Sequence, residues 1–157
     1  MKPNPLCLLL ALCLLAGCAP SAATEEAVNP ITFFYADAAE DYERATGALT
    51  GERVELGQTD LSIAKILDRY LSAGRAPFPV ELRCTEVTLR DGVLTVTLNG
   101  AFSALGGMEL TLAAAALTLT LCQIDGVEGV SIRAEGDILS EDWKDVFMPD
   151  DFVLTDT

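Results

Sequence analysis

The side chains here with most chemistry to offer are five cysteines and a set of adjacent carboxylates; no histidine accompanies them. Without imidazole, the commonest general base, the commonest transition-metal ligand and the triads built on it are excluded. Cys18 closes the tetrapeptide Leu15-Ala16-Gly17-Cys18. The small residues before it let a peptidase reach the backbone, and its thiol is the one group there able to carry a diacylglyceryl thioether. Cys7 and Cys13 lie in the apolar run ahead of it, which leaves Cys84 and Cys122, too few for a zinc site by themselves. Asp150-Asp151, joined by Glu141-Asp142, could offer oxygens to a divalent cation. No EF-hand spacing is present, so a solvated acidic tail is the plainer reading and no metal or other cofactor is expected. A glycosidase-like carboxylate pair stays a weaker alternative, since 24 acids make chance pairs abundant.

The run over residues 6–16 spans 11 residues, short of the roughly 20 that a membrane-crossing helix needs. With Lys2 ahead of it and small residues behind, it reads as a signal peptide over 1–17, and "LAGC" resembles a bacterial lipobox. An ordinary secretory signal with a chance cysteine, or a buried helix, are the alternatives. Cys18 is thus expected to become the lipidated first residue, palmitate being a typical acyl group. One acyl chain binds a membrane only marginally, so firm anchoring would need two or three on Cys18.

The chain carries 10 Lys+Arg against 24 Asp+Glu, a net charge of −14, and of these only Lys2 precedes Cys18. Such a surface repels nucleic acid and anionic headgroups, so no nucleic-acid partner is expected. Residues 18–30, "CAPSAATEEAVNP", are mostly small and polar and read as a flexible tether. The chain beyond the tether has the length of one domain.

"ITFFYAD" begins it with a β-branched and aromatic strand; "RVEL", at 53–56, is a weaker strand signal. In "LSIAKILDRYLSAG", Ile63, Ile66, Leu67, Tyr70 and Leu71 recur at helical spacing after a cap at Thr59 or Asp60, with Gly74, Pro77 and Pro79 ending the helix. "VTLRDGVLTV" is a hairpin turning on Asp91-Gly92, in which Leu89 faces Leu94 and Val87 faces Val96. An unbroken strand then points Cys84 away from the Val87/Leu89 face; only a bulge near Thr85-Glu86 turns it inward.

"MELTLAAAALTLTLCQIDG" is too long for an ordinary strand. As a helix it presents Ala113, Ala116, Leu117, Thr120, Leu121 and Ile124 on one face and ends at Gly126. "VEGVSIRAE" is a last strand with Val130, Ile132 and Ala134 on one side. The order β-α-β-β-α-β predicts a single small α/β (α+β) domain, its helices on one face of a small sheet.

In these residues the chain resembles the GerMN domain, the module named for sporulation and spore germination proteins. The resemblance runs from "ITFFYAD" through "ILDRYLSAG" and "PFPVEL" to "VTLRDGVLTVTLNGAF". It closes with "ALTLTLCQIDGVEGVSIRAEG", where Thr120-Leu121, Gly126-Val127, Val130 and Gly136 fit the family pattern. It covers residues 31–136, a GerMN-like domain, and leaves 137–157 as a C-terminal tail. "SAGRAP" departs from the Gly-Pro that many members carry at the helix end, and there is room for one copy where sporulation members can hold two. The resemblance implies an envelope lipoprotein with a module similar to ring-building domains and no established catalytic residues.

Cys84 and Cys122 could pair in an oxidising space. Helical geometry disfavours it, because Cys122 lies roughly 160° from the core direction of its helix at 100° per residue. The back of that helix, Thr111, Ala115, Thr118 and Cys122, carries no charge in an otherwise acidic chain, so something is expected to cover it. The candidates are the chain's own tail, whose Trp143, Phe147 and Phe152 are costly to expose, or an interaction face for another protein or copy. Together these readings give a non-enzymatic adaptor, extracytoplasmic and held to the bacterial membrane through Cys18, docking on an envelope protein in sporulation, germination or wall remodelling. The alternative is a binding module for a cation or cell-wall fragment. Oligomeric state is left open.

Overall fold

The computed structural model describes residues 29–36, 49–57, 62–136 and 143–152. Residues 1–28, with the expected signal segment and Cys18, and also Thr59, Asp60, Glu141 and Asp142 lie outside the described residues. The elements in chain order are β1 (Asn29–Ala36), β2 (Leu49–Leu56), α1 (Ile63–Ser72), β3 (Cys84–Arg90), β4 (Val93–Leu98), α2 (Gly107–Leu121), β5 (Gly129–Ala134) and a 3-10 turn at Pro149–Phe152. The fold class is mixed α+β, as the sequence predicts, but the strands divide into two sheets. β1 and β2 form an antiparallel pair, and β3-β4-β5 form a second sheet with β4 in the middle.

The hairpin β3-β4 has the expected register, Leu89 opposite Leu94 and Val87 opposite Val96. Asp91 and Gly92 both take positive φ, 50° and 79°, the conformation a two-residue turn requires. A register shift between Cys84 and Glu86 sets Cys84 opposite Leu98, so the bulge turns the thiol toward the core. β5 then runs parallel to β4, pairing Val130 with Leu94 and Ile132 with Val96. Parallel neighbours need a crossover, and α2 supplies it.

α1 is capped by Ser62, whose Oγ accepts from Lys65 N–H at 3.4 Å. Thr59 and Asp60 stand too far upstream for a helix that starts at Ile63. Ile66, Leu67, Tyr70 and Leu71 are buried, and Gly74 at φ 60° leaves the helix as expected. α2 ends at Leu121, short of Ile124, with Cys122 as its C-cap. It is buried nearly all round: Leu112 to Leu117, Thr118, Thr120 and Leu121 are all out of solvent, the behaviour of a helix enclosed by its own domain. Its neighbours are β1, β5 and the 3-10 turn. The core gathers Phe33, Tyr35, Tyr70 and Phe78 at the α1 end and Leu94, Val96, Leu98, Val130 and Ile132 under α2.

Candidate functional site

The back of α2 is the surface that the sequence singles out. Ala115 and Thr118 are buried, Thr111 is exposed and Cys122 is half-buried. The middle of the face is thus out of solvent, and its two ends, Thr111 and Cys122, are the parts that solvent reaches. The segment 143–152 belongs to the surroundings of α2, its 3-10 turn lying against the helix beside β1 and β5. Phe147 forms a bridge with Val130 on the outer edge of β5, donating N–H to the Val130 carbonyl at 2.8 Å and accepting from Val130 N–H at 2.9 Å. Trp143 Nε1 donates to the Ile132 carbonyl at 3.1 Å. Phe102, Trp143, Phe147 and Phe152 follow one another ring against ring, with centroids 6.3, 5.1 and 5.7 Å apart. The hydroxyl of Thr118 is fully buried and has no hydrogen-bond partner among the described residues.

Gly129 lets this strap approach. A Cβ there would stand 2.7 Å from Met148 Sδ, 2.8 Å from Val146 Cγ1 and 3.2 Å from the Phe147 carbonyl oxygen. Asp151 fastens the far end. Its carboxylate accepts from Lys144 Nζ and, at 2.7 Å, from Met148 N–H, and the Lys144 bond holds its pKa below the ordinary aspartate value. Asp151 is therefore already engaged, whereas Asp150 is exposed; no group of three His, Cys, Asp or Glu suited to a metal occurs among the described residues.

Cys84 and Cys122 are free thiols, both half-buried. Burial pushes both thiol pKa values up, so neither is an activated nucleophile. Cys84 Sγ points to the Glu86 carbonyl at 3.3 Å and Cys122 Sγ to the Glu128 carbonyl at 3.7 Å.

Two features have little or no signal in the sequence. One is the outer edge of β1, where Thr120 of α2 and Gln123 just past its C-cap meet the strand backbone: Thr32 N–H donates to Gln123 Oε1, and Phe34 N–H to Thr120 Oγ1 at 3.0 Å. Tyr70 Oη donates to the Phe34 carbonyl, and burial raises the Tyr70 pKa above its ordinary value. A lone amide at the end of an apolar helix was the signal available for Gln123. The other is a groove of about 410 Å³ on the uncovered face of β3-β4-β5, walled by residues 143–146. A second cleft, of about 500 Å³, is lined by Pro30, Leu56, Ile63 and Ile124 together with the polar Gln123 and Asp125.

The family model described as "Germane: Sporulation and spore germination" matches residues 31–140. Among solved structures, the chain is similar to the tandem GerMN domains of the sporulation protein GerM from Bacillus subtilis, with 16% identity and a TM-score of 0.52. That match covers 83% of this chain and 48% of the other, so this chain spans about half the length of the tandem protein. The first GerMN domain of the same protein matches with 16% identity and a TM-score of 0.53, over 66% of this chain and 90% of that one. At such identity the likeness is one of fold. No curated protein matches the sequence.

Proposed function

This chain belongs to the Germane family of sporulation and spore germination domains, and from that premise we propose that it is a non-catalytic adaptor of the bacterial cell envelope, anchored through lipidated Cys18. The observation that carries the reading is the family match over residues 31–140, preceded by "LAGC" and a short polar tether. Both thiols have raised pKa values, and the carboxylate of Asp151 is engaged in holding the strap, so these groups serve packing. No helix among the described residues is long and apolar enough to cross a membrane, and a lipid at Cys18 would supply the attachment.

The test is capture of the protein from membranes after brief crosslinking in growing and in spore-forming cells, beside a Cys18→Ser variant. The adaptor reading expects one envelope protein, enriched in one stage, and a Cys18→Ser form that is released or held as precursor. Unchanged membrane retention of a fully processed Cys18→Ser form rules out the lipid anchor, and empty captures in both stages rule out the adaptor. A second reading, a binding module for a cell-wall fragment, is favoured by one observation, the groove on the uncovered sheet face.

A further inference from the structure

In a parallel or antiparallel sheet successive side chains alternate between faces, so the buried positions Leu94, Val96, Val130 and Ile132 put Val93, Thr95, Ser131 and Arg133 on the other side. These four residues floor the groove, and the strap passing over Gly129 raises residues 143–146 as its wall. The floor is unusual for this chain. Across the middle lie two hydroxyls, Thr95 and Ser131, brought side by side by the register, with Thr88 continuing the row on β3 outside the groove. Arg133 stands at one end with no ion pair or hydrogen bond among the described residues, in a chain of net charge −14. In the wall, Trp143 is half-buried with its ring edge-on to Phe102 and Phe147, Lys144 is paired with Asp151, and Asp145 adds one exposed carboxylate.

These groups have complementary uses. A guanidinium presents paired N–H donors that fit a carboxylate. Hydroxyls both donate and accept, so a row of them suits a ligand that is itself rich in hydroxyls. An indole offers an apolar face beside a wet rim, a surface for the C–H face of a sugar ring. A mostly formed concave site with a few convergent polar groups is the usual form of a small-ligand site. The geometry points to a carboxylate-bearing saccharide as the ligand of this groove, with Arg133 on the carboxylate, Thr95 and Ser131 on ring hydroxyls and Trp143 against the ring. The assignment rests on the wall-fragment reading given above and names the chemistry of that same site. An acidic peptide would satisfy Arg133 but leave the hydroxyl row and the indole without a matched surface.

Trp143 is the chain's single tryptophan, so its emission reports on the groove directly. The full chain, purified in detergent, is titrated with N-acetylmuramic acid, N-acetylglucosamine and a short aspartate peptide. A saturable change with N-acetylmuramic acid is expected. Affinity for the neutral sugar should be lower by about tenfold, the effect of one lost charge-assisted pair. Arg133→Gln should erase that difference, and Thr95→Val should weaken both sugars. Arg133 is exposed, so the variant keeps its fold, which far-ultraviolet circular dichroism checks. Equal affinity for the peptide, no saturable change with the acidic sugar, or an unaltered Arg133→Gln variant would each overturn the proposal. Pelleting with insoluble cell wall separates the two levels: co-sedimentation that Arg133→Gln leaves unchanged sinks the groove but keeps the wall-binding reading, and no co-sedimentation sinks both.

Discussion

Gln123 holds Thr32 as a neighbouring strand would: its side-chain oxygen accepts from Thr32 N–H at 2.9 Å and its amide nitrogen donates to the Thr32 carbonyl at 2.7 Å. The same amide nitrogen also reaches the Leu119 carbonyl at 2.9 Å, so one side chain ties the end of α2 to the edge of β1. The donors and acceptors fix which end of the amide is nitrogen, since the reversed orientation would set the carbonyls of Thr32, Leu119 and Thr120 against an oxygen.

Removing that clasp should be measurable. Gln123→Ala is expected to lower stability by about 1–2 kcal/mol, chiefly the net worth of the two exposed hydrogen bonds to Thr32, read from urea unfolding. Gln123→Glu tests the geometry. Its carboxylate can still accept from Thr32 N–H but repels the Thr32 carbonyl, so it should not restore stability at pH 7. Once the carboxyl is protonated it can donate, and the gap to wild type should narrow below about pH 4. Full rescue by Glu at neutral pH would show that the donated bond is unimportant.

On α2, Thr118 keeps a hydroxyl in the dry interior without a partner among the described residues. Thr118→Val removes it at nearly constant shape, and thermal unfolding should show a gain of up to about 1 kcal/mol. Ala115→Glu puts a charge into the same closed face, 6% exposed. It should cost at least about 3 kcal/mol or expel the strap, shifting Trp143 emission to the red. Wild-type stability and emission for Ala115→Glu would mean that the strap does not cover α2.

Strap docking should depend on pH through Asp151. The Lys144 bond and the Met148 N–H lower its pKa in the folded chain. A carboxylate whose pKa is lower folded than unfolded stabilises above its unfolded pKa, and that help is lost as pH falls through the folded value. Trp143 emission should therefore begin to shift just below the usual aspartate range, before far-ultraviolet signals of α1 and α2 change. Asp151→Asn, which can still accept from Met148 N–H, should shift emission at pH 7 and flatten this dependence. Identical pH profiles for the two proteins would remove Asp151 from the account.

Both thiols should resist alkylation while the domain is folded. Burial raises their pKa values, so thiolate is scarce at pH 8 and the labelling rate should keep climbing with pH beyond the ordinary thiol range. Urea should make Cys84 and Cys122 react together and fast. Rapid labelling of either residue in the native chain, followed by mass spectrometry, would contradict its burial.

How far the sequence reveals this architecture varies by element, for physical reasons. The hairpin is fully legible, since a period of two on either side of Asp91-Gly92 leaves one register that buries Val87, Leu94 and Val96 together. Cys84 shows the limit of that reasoning: alternation says what a bulge would do, while the bulge itself is decided by contacts. β2 is weak in sequence because Leu49, Val54 and Leu56 alone among its eight residues are shielded from solvent, and its strand form comes from pairing with β1. The charge-free back of α2 announces that it is covered. Nothing along the chain indicates that Phe147 reaches the edge of β5, because a single bridging residue has no periodicity. The Arg133 groove is equally silent in sequence, since its floor and wall meet only through the parallel β4-β5 register and the bare Cα of Gly129.

The treatment of strand borders bears on how densely such molecules can be crowded together. A strand with unpaired backbone groups is a template on which a second molecule can crystallise a sheet. Here β1 spends side chains from the neighbouring helix on its border, and β5 is met by Phe147. β2 presents Glu52, Arg53 and Glu55, whose charges discourage stacking of one molecule on the next. The fold thereby guards three of its four strand borders, those of β1, β2 and β5, against seeding fibres at high local density, without closing its sheets into a barrel.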